Sequence, residues 1–201
     1  MGETSRPLRI VLTGGPGGGK TTAADLFRRE IGDAVVLVPE SATILFAGGF
    51  PRVVDPDGQR SVQRAIFSVQ RALEDVHAAV HGERVQLCDR GTIDGAAYWP
   101  DGRDGFFAEM GSSHEAELAR YDVVLFFETA AIGGSAWEGA NRYRTESNAE
   151  AVEVDRRLRE LWSPHPEFHL VPHSPSFLRK ITVALSILES VVMRHRQQAG
   201  A

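Results

Sequence analysis

Short apolar runs alternate with longer amphipathic stretches along this chain. Arg9-Ile10-Val11-Leu12-Thr13, Val35-Val36-Leu37-Val38, Val85-Gln86-Leu87-Cys88, Val123-Val124-Leu125-Phe126-Phe127 and Phe168-His169-Leu170-Val171 are brief and mostly apolar. Such runs, lacking strict polar alternation, mark strands covered on both faces. Between them apolar positions recur at helical spacing. Val62, Ala65, Ile66, Val69, Leu73, Val76 and Val80 form one stripe, which predicts a long helix over 61–81 with this side in the core. Phe177, Ile181, Ala184, Leu185, Leu188 and Val191 form a second stripe. Val154, Leu158, Leu161 and Trp162 form a third, and Ser147 with Glu150 supplies a capping box at its start. Strand–helix alternation of this kind predicts an α/β fold built on a five-stranded parallel sheet. Right-handed crossovers then carry the carboxyl ends of all the strands to one edge, where ligands bind. Neither repeats nor low-complexity segments interrupt the pattern, so residues 1–201 are expected to form a single domain.

The first strand runs straight into Gly14-Gly15-Pro16-Gly17-Gly18-Gly19-Lys20-Thr21, which satisfies G-x-x-x-x-G-K-[ST] at every fixed position. Glycines let successive backbone N–H groups turn inward on phosphate oxygens. Gly15, Gly17, Gly18, Gly19, Lys20, Thr21 and Thr22 are therefore the candidate phosphate-binding residues. Lys20 is expected to neutralise the β- and γ-phosphates and Thr21 to offer its hydroxyl to Mg²⁺, at the N-terminus of a helix. ATP or GTP is the expected nucleotide.

Three further groups fall on the same edge. Asp89-Arg90 closes the third strand, placing Asp89 as the second candidate Mg²⁺ ligand. A hydrolytic motor would carry a second acid where Arg90 stands; an arginine there suits a bound anion or the transferred phosphoryl group instead. Glu40, just past the second strand, is a candidate general base for an acceptor hydroxyl, although Pro39-Glu40-Ser41 also reads as the first turn of a helix. Arg142 and Arg144, in a Gly/Ser/Ala-containing segment at about 131–147, are candidates for a lid that closes on phosphates. Arg156 and Arg157 are possible companions on the next helix. Arg52, Gln70, Arg90 and Asp94 are candidates for the acceptor pocket, with Tyr98 nearby. His165, His169 and His173 lack metal-site spacing.

Composition narrows the picture. A net charge of −5 disfavours general nucleic-acid binding. Of 22 basic residues only Lys20 and Lys180 are lysine, so a lysine in the glycine loop stands out in an arginine-rich chain. The single Cys88 excludes an internal disulfide framework. With no long apolar run and a polar N-terminus without signal-peptide pattern, a cytoplasmic protein is expected.

Thr13-Gly14-Gly15-Pro16 with Gly19-Lys20-Thr21-Thr22, Pro39-Glu40-Ser41-Ala42, Asp89-Arg90-Gly91, Asn141-Arg142-Tyr143-Arg144-Thr145-Glu146 and Leu161-Trp162 together resemble an AAA-like P-loop family. That family includes the nicotinamide riboside kinase domain of a bacterial NAD-biosynthesis regulator and a eukaryotic protein associated with GTP and phosphatidic acid binding. The resemblance implies a three-layer, nucleoside/nucleotide-kinase-like P-loop core with strand order 2-3-1-4-5 and an arginine-bearing lid. Two functions remain open. One is a small-molecule kinase moving a γ-phosphoryl group to a hydroxyl of a nucleoside-like or other small acceptor. The other is a nucleotide-dependent switch that hydrolyses slowly and answers to a protein or peripheral lipid partner. A Ras-like GTPase is disfavoured by the missing Asn-Lys-x-Asp motif.

Overall fold

The computed structural model describes residues 6–82, 84–133 and 147–199. Five parallel strands form one sheet: β1 (Arg9–Thr13), β2 (Val35–Val38), β3 (Val85–Asp89), β4 (Val123–Phe127) and β5 (Phe168–Val171), in the order β2-β3-β1-β4-β5. β1 is central, with Val11 in register with Cys88 of β3 and Val124 of β4. The period-two alternation of a strand splits its side chains between two cores. Ile10, Leu12, Leu87 and Leu125 face α1 (Lys20–Ile31) and the closing helix, whereas Val11, Cys88, Val124 and Phe126 face the opposite layer. The expected three-layer α/β architecture and strand order are both present.

On one side α1 packs with α7 (Phe177–Ala199), whose Ile181, Ala184, Leu188 and Val191 are buried. The other side holds α3 (Pro56–His81), a 3₁₀ segment over Thr92–Tyr98, and α6 (Asn148–Trp162). Short helices α2 (Ser41–Ala47), α4 (Gly102–Glu109) and α5 (His114–Leu118) complete the connections. The capping box of α6 forms as read, with Ser147 Oγ accepting from the Glu150 N–H and Glu150 accepting from the Ser147 N–H. Leu158 and Trp162 seat that helix; burying a leucine of this kind contributes about 1.5–3 kcal/mol.

The structure corrects three details. β3 continues through Asp89 instead of stopping at Cys88. α3 starts at Pro56, earlier than the apolar stripe indicates, because Asp55 caps it by accepting from Gly58 N at 2.7 Å and Pro56 supplies a pre-set first turn. Its buried face is also not the purely apolar stripe: Val76 and Val80 are 58% and 68% exposed, while Gln70 and Glu74 are buried. Glu74 is tolerated there because Arg120 and the Tyr121 hydroxyl donate to its oxygens at 2.6 and 2.7 Å, and Arg9 lies 3.8 Å away. A buried carboxylate needs such partners, and pattern reading at apolar positions alone misses them.

Candidate functional site

The loop after β1 is shaped by close approach. Gly14 has a φ of 121°, and a Cβ there would stand 2.2 Å from the Phe127 carbonyl oxygen of β4, so only glycine fits. A Cβ on Gly15 would meet the Asp155 carboxylate at 2.5 Å. Lys20 opens α1, and its ammonium folds back to donate to the carbonyls of Gly14 and Gly15 at 2.8 and 2.7 Å. The lysine is thus buried within the loop and not extended into solvent. Thr21 and Thr22 follow on the exposed first turn.

Asp155 was invisible as a site residue in the motif reading. From α6 its Oδ1 accepts from Gly15 N at 2.8 Å and from Thr129 N at 2.9 Å, and the Thr129 hydroxyl donates to the Pro16 carbonyl at 2.5 Å. The available signal was an aspartate set among Ala151, Leu158 and Trp162 on the buried face of an amphipathic helix.

Asp89, at the end of β3, is 3% exposed. Burial, then the charge of Glu40, raises its carboxyl to about 6, against the opposing Thr21 hydroxyl bond and the charges of Lys20 and Arg90. Its Oδ1 is buried with no hydrogen-bond partner. An orphaned carboxylate oxygen beside a threonine hydroxyl is an all-oxygen donor set, which fits Mg²⁺ held by one carboxylate, one hydroxyl and substrate phosphates. Among the described residues there is no cluster of three or more His, Cys, Asp or Glu suited to a metal caged by the protein alone.

Arg90 occupies the left-handed region with a φ of 71°, which for a side chain of this size costs about 1–3 kcal/mol and requires surrounding contacts to hold it. Those contacts are present. Its N–H donates to Leu12 O at 3.0 Å and its carbonyl accepts from Gln70 Nε2 at 3.3 Å. Its guanidinium donates through Nε to Glu40 Oε1 at 2.6 Å and through Nη1 to Asp94 Oδ2 at 3.0 Å. Asp94 Oδ1 in turn accepts from Thr13 Oγ1 at 2.8 Å and Trp162 Nε1 at 2.7 Å. Asp94 and Gln70 therefore hold Arg90 in place, and Gln70 does not reach the cavity wall. Glu40 both caps α2 and turns its side chain into the site, accepting from Thr43 Oγ1 at 2.5 Å. Burial pushes its carboxyl up, but Arg90, Thr43 and Lys20 together outweigh that and leave it below the ordinary value.

A cavity of about 260 Å³ opens next to Pro16 of the loop. The bonded group Glu40, Arg90 and Asp94 lines it together with Phe46, Arg52, Val62, Ile66 and Tyr98. The Arg52 guanidinium lies 4.4 Å from the centroid of the Phe46 ring. The structure thus gathers Lys20, Thr21, Asp89, Glu40, Arg90, Asp94 and Arg52 at the carboxyl edge of the sheet. The helical turn that Pro39-Glu40-Ser41 suggests is present as α2, and its Phe46 adds a cavity residue that the sequence reading does not single out. Arg142 and Arg144 lie outside the described residues. Arg156 and Arg157 pair with Glu153 on the surface of α6, each through a 2.8 Å bond.

A protein-family model described as an AAA domain matches residues 9–175. No curated protein matches the chain. Among solved structures, a thymidylate kinase from Candida albicans superposes with a TM-score of 0.65 at 15% identity, covering 95% of this chain and 93% of that one. A thymidylate kinase from Ehrlichia chaffeensis gives a TM-score of 0.60 at 14% identity, covering 92% and 99%. At such identities the likeness is one of fold.

Proposed function

The chain belongs to the AAA domain family, and from that premise we propose that it is a small-molecule kinase that transfers the γ-phosphoryl group of ATP or GTP to a hydroxyl of a nucleoside-like or other small acceptor. One observation supports this reading. A cavity of about 260 Å³ opens against the phosphate loop, with Pro16 and the Glu40–Arg90–Asp94 group on its wall.

In this reading the glycine loop and Lys20 hold the phosphates, and the buried ammonium exchanges its carbonyl partners for phosphate oxygens. Thr21 and Asp89 would hold Mg²⁺, which supplies charge neutralisation of the phosphates. Glu40 accepts the proton of the acceptor hydroxyl as the oxygen–phosphorus bond forms and the bond to the departing diphosphate breaks. A lowered carboxyl makes Glu40 a weak base, which suits a loose transition state in which catalysis is mostly positioning and charge stabilisation. Arg142 and Arg144 enter from the sequence alone, as lid cations over the developing charge. The resemblance to a nicotinamide riboside kinase domain supports a hydroxyl acceptor and leaves its identity open.

The second reading, a nucleotide-dependent switch with slow hydrolysis and a protein or lipid partner, draws support from the same ion pair. Arg90 already occupies Glu40 at 2.6 Å, as a purely structural contact would. An acceptor library screened with labelled ATP and GTP separates the two. The kinase reading requires turnover that depends on one class of hydroxyl compound; slow hydrolysis indifferent to every acceptor would leave only the switch.

A further inference from the structure

Charge is distributed unevenly around the cavity. Arg90, beside the phosphate loop, is shared between Glu40 and Asp94, so two carboxylates meet one guanidinium there. Asp89 adds a third carboxylate close enough for Glu40 to act on it electrostatically. Lys20 is the second cation acting on Glu40 and Asp89, so three carboxylates face two cations, and an anionic substituent placed here would meet Arg90 already engaged on two sides. This portion of the cavity accepts a neutral, hydrogen-bonding group such as a hydroxyl.

Arg52 is placed differently. It comes from the segment between α2 and α3, is exposed, and has no ion-pair partner among the described residues. Its guanidinium lies against the Phe46 ring, 4.4 Å from the centroid. Packing on an aromatic surface pre-organises an arginine while leaving N–H donors for a planar anion. Val53, Val62 and Ile66 supply apolar wall to the same cavity. Because the whole chain carries a net charge of −5, any affinity for anions must come from a local feature of this kind.

We propose that the cavity selects an acceptor bearing an anionic group, carboxylate or phosphate, away from its reacting hydroxyl, with Arg52 on Phe46 receiving the anion and Glu40 facing the hydroxyl. The hydroxyl half rests on the kinase reading; the anion half rests on Arg52 and is tested by binding alone.

The probes share a flat apolar ring and a hydroxymethyl group. They are para-hydroxymethylbenzoate, para-hydroxymethylphenylphosphonate, benzyl alcohol and para-hydroxymethylbenzylamine. Each is titrated into the full chain with a non-hydrolysable ATP analogue and Mg²⁺, followed by ligand-observed NMR and calorimetry. At least one anionic probe should bind about tenfold or more tighter than benzyl alcohol, the scale of one charge-assisted contact, and the amine should bind weakest. A tighter benzoate or a tighter phosphonate identifies which anion the site takes. In Arg52→Gln, which keeps a flat side chain over Phe46 without the charge, the anionic preference should fall to within about twofold. Arg52→Glu should reverse the order in favour of the amine. An anionic preference that survives both substitutions, or equal binding of all four probes to the unmodified chain, overturns the proposal. Selective binding without phosphoryl transfer would leave the Arg52 site standing and count against the kinase reading instead.

Discussion

Asp155, on the helix that follows the arginine-bearing segment, accepts a hydrogen bond from the backbone N–H of Gly15 in the phosphate loop. The same oxygen accepts from Thr129 N, just past β4. One carboxylate oxygen thus fixes the loop, the end of a strand and α6 relative to one another. Burial raises the Asp155 carboxyl above its ordinary value, and the two N–H bonds oppose that rise.

Asp155→Ala leaves the N–H groups of Gly15 and Thr129 buried without an acceptor. An unsatisfied buried donor costs about 1–3 kcal/mol, so a loss of roughly 2–6 kcal/mol in urea unfolding is expected for the pair. Nucleotide affinity should fall with it, because the loop loses its anchor. Asp155→Asn keeps a carbonyl oxygen able to accept both bonds and should recover most of the loss. If the asparagine variant is as damaged as the alanine one, charge and not hydrogen bonding is what the site requires.

Lys20 leads to a sharper expectation. Its ammonium holds the carbonyls of Gly14 and Gly15, so Lys20→Ala removes both a buried cation and two loop contacts. Calorimetry with Mg²⁺-ATP and Mg²⁺-GTP should show binding weakened by about 10²-fold or more, the scale of a lost electrostatic stabiliser. Thermal unfolding should remain cooperative, because Lys20 takes no part in the apolar clusters beneath the sheet. Near-normal affinity in the folded variant would remove the phosphate role from this loop.

The five strands were legible because short apolar runs leave little choice but a parallel sheet, whereas their order was implied only by the resemblance to an AAA-like P-loop family, and the sheet has that order. Lys20, Thr21 and Asp89 could be placed at the sheet edge because their motifs adjoin β1 and β3, but the Glu40 and Asp94 carboxylates that occupy Arg90 could not be read from the motif that holds it. The site was not legible where a residue acts through the fold. Asp155 lies 140 positions from Gly15 in the chain, and no local spacing announces that contact. Gln70, a sequence candidate for the acceptor pocket, donates instead to the Arg90 carbonyl, a contact that no local pattern announces. Phe46 was not legible because α2 is about two turns long, too short to show a periodicity.

Lys180, the second lysine, sets up a pH dependence. It is buried on α7, donating to the Glu128 carbonyl at 2.6 Å, and burial pushes its ammonium down to about 8. An unfolded lysine titrates near 10.4, so between about 8 and 10.4 the unfolded chain binds more protons than the folded one. Stability from this residue therefore rises with pH through that window and is lowest below it. Other groups titrate there too, so the comparison is with Lys180→Met. The difference in Tm, native minus variant, should grow from pH 8 to pH 10. Parallel curves would mean that Lys180 keeps its proton throughout.

Glu40 carries the most exposed expectation. It is bonded to Arg90 and Thr43, and its charge raises the carboxyl of Asp89. Two carboxylates this close to the phosphate loop invite a division of labour, with Asp89 toward the metal and Glu40 toward the incoming hydroxyl. Glu40→Gln keeps the size and one acceptor oxygen, so Arg90 retains a partner while the basic oxygen is lost. Under the kinase reading, single-turnover transfer to an accepted hydroxyl compound should slow by about 10²-fold or more, within the range for general-base catalysis. Nucleotide binding should hardly change, and removing the neighbouring charge should bring Asp89 back toward ordinary carboxylate behaviour. Under the switch reading the ion pair with Arg90 is itself the purpose of Glu40. Stability or nucleotide affinity should then fall, because Arg90 is held in a strained backbone conformation and loses a charged partner. Transfer and nucleotide titration on the same variant distinguish the two. Intact transfer with weakened Mg²⁺-nucleotide binding would reverse the roles assigned to the two carboxylates.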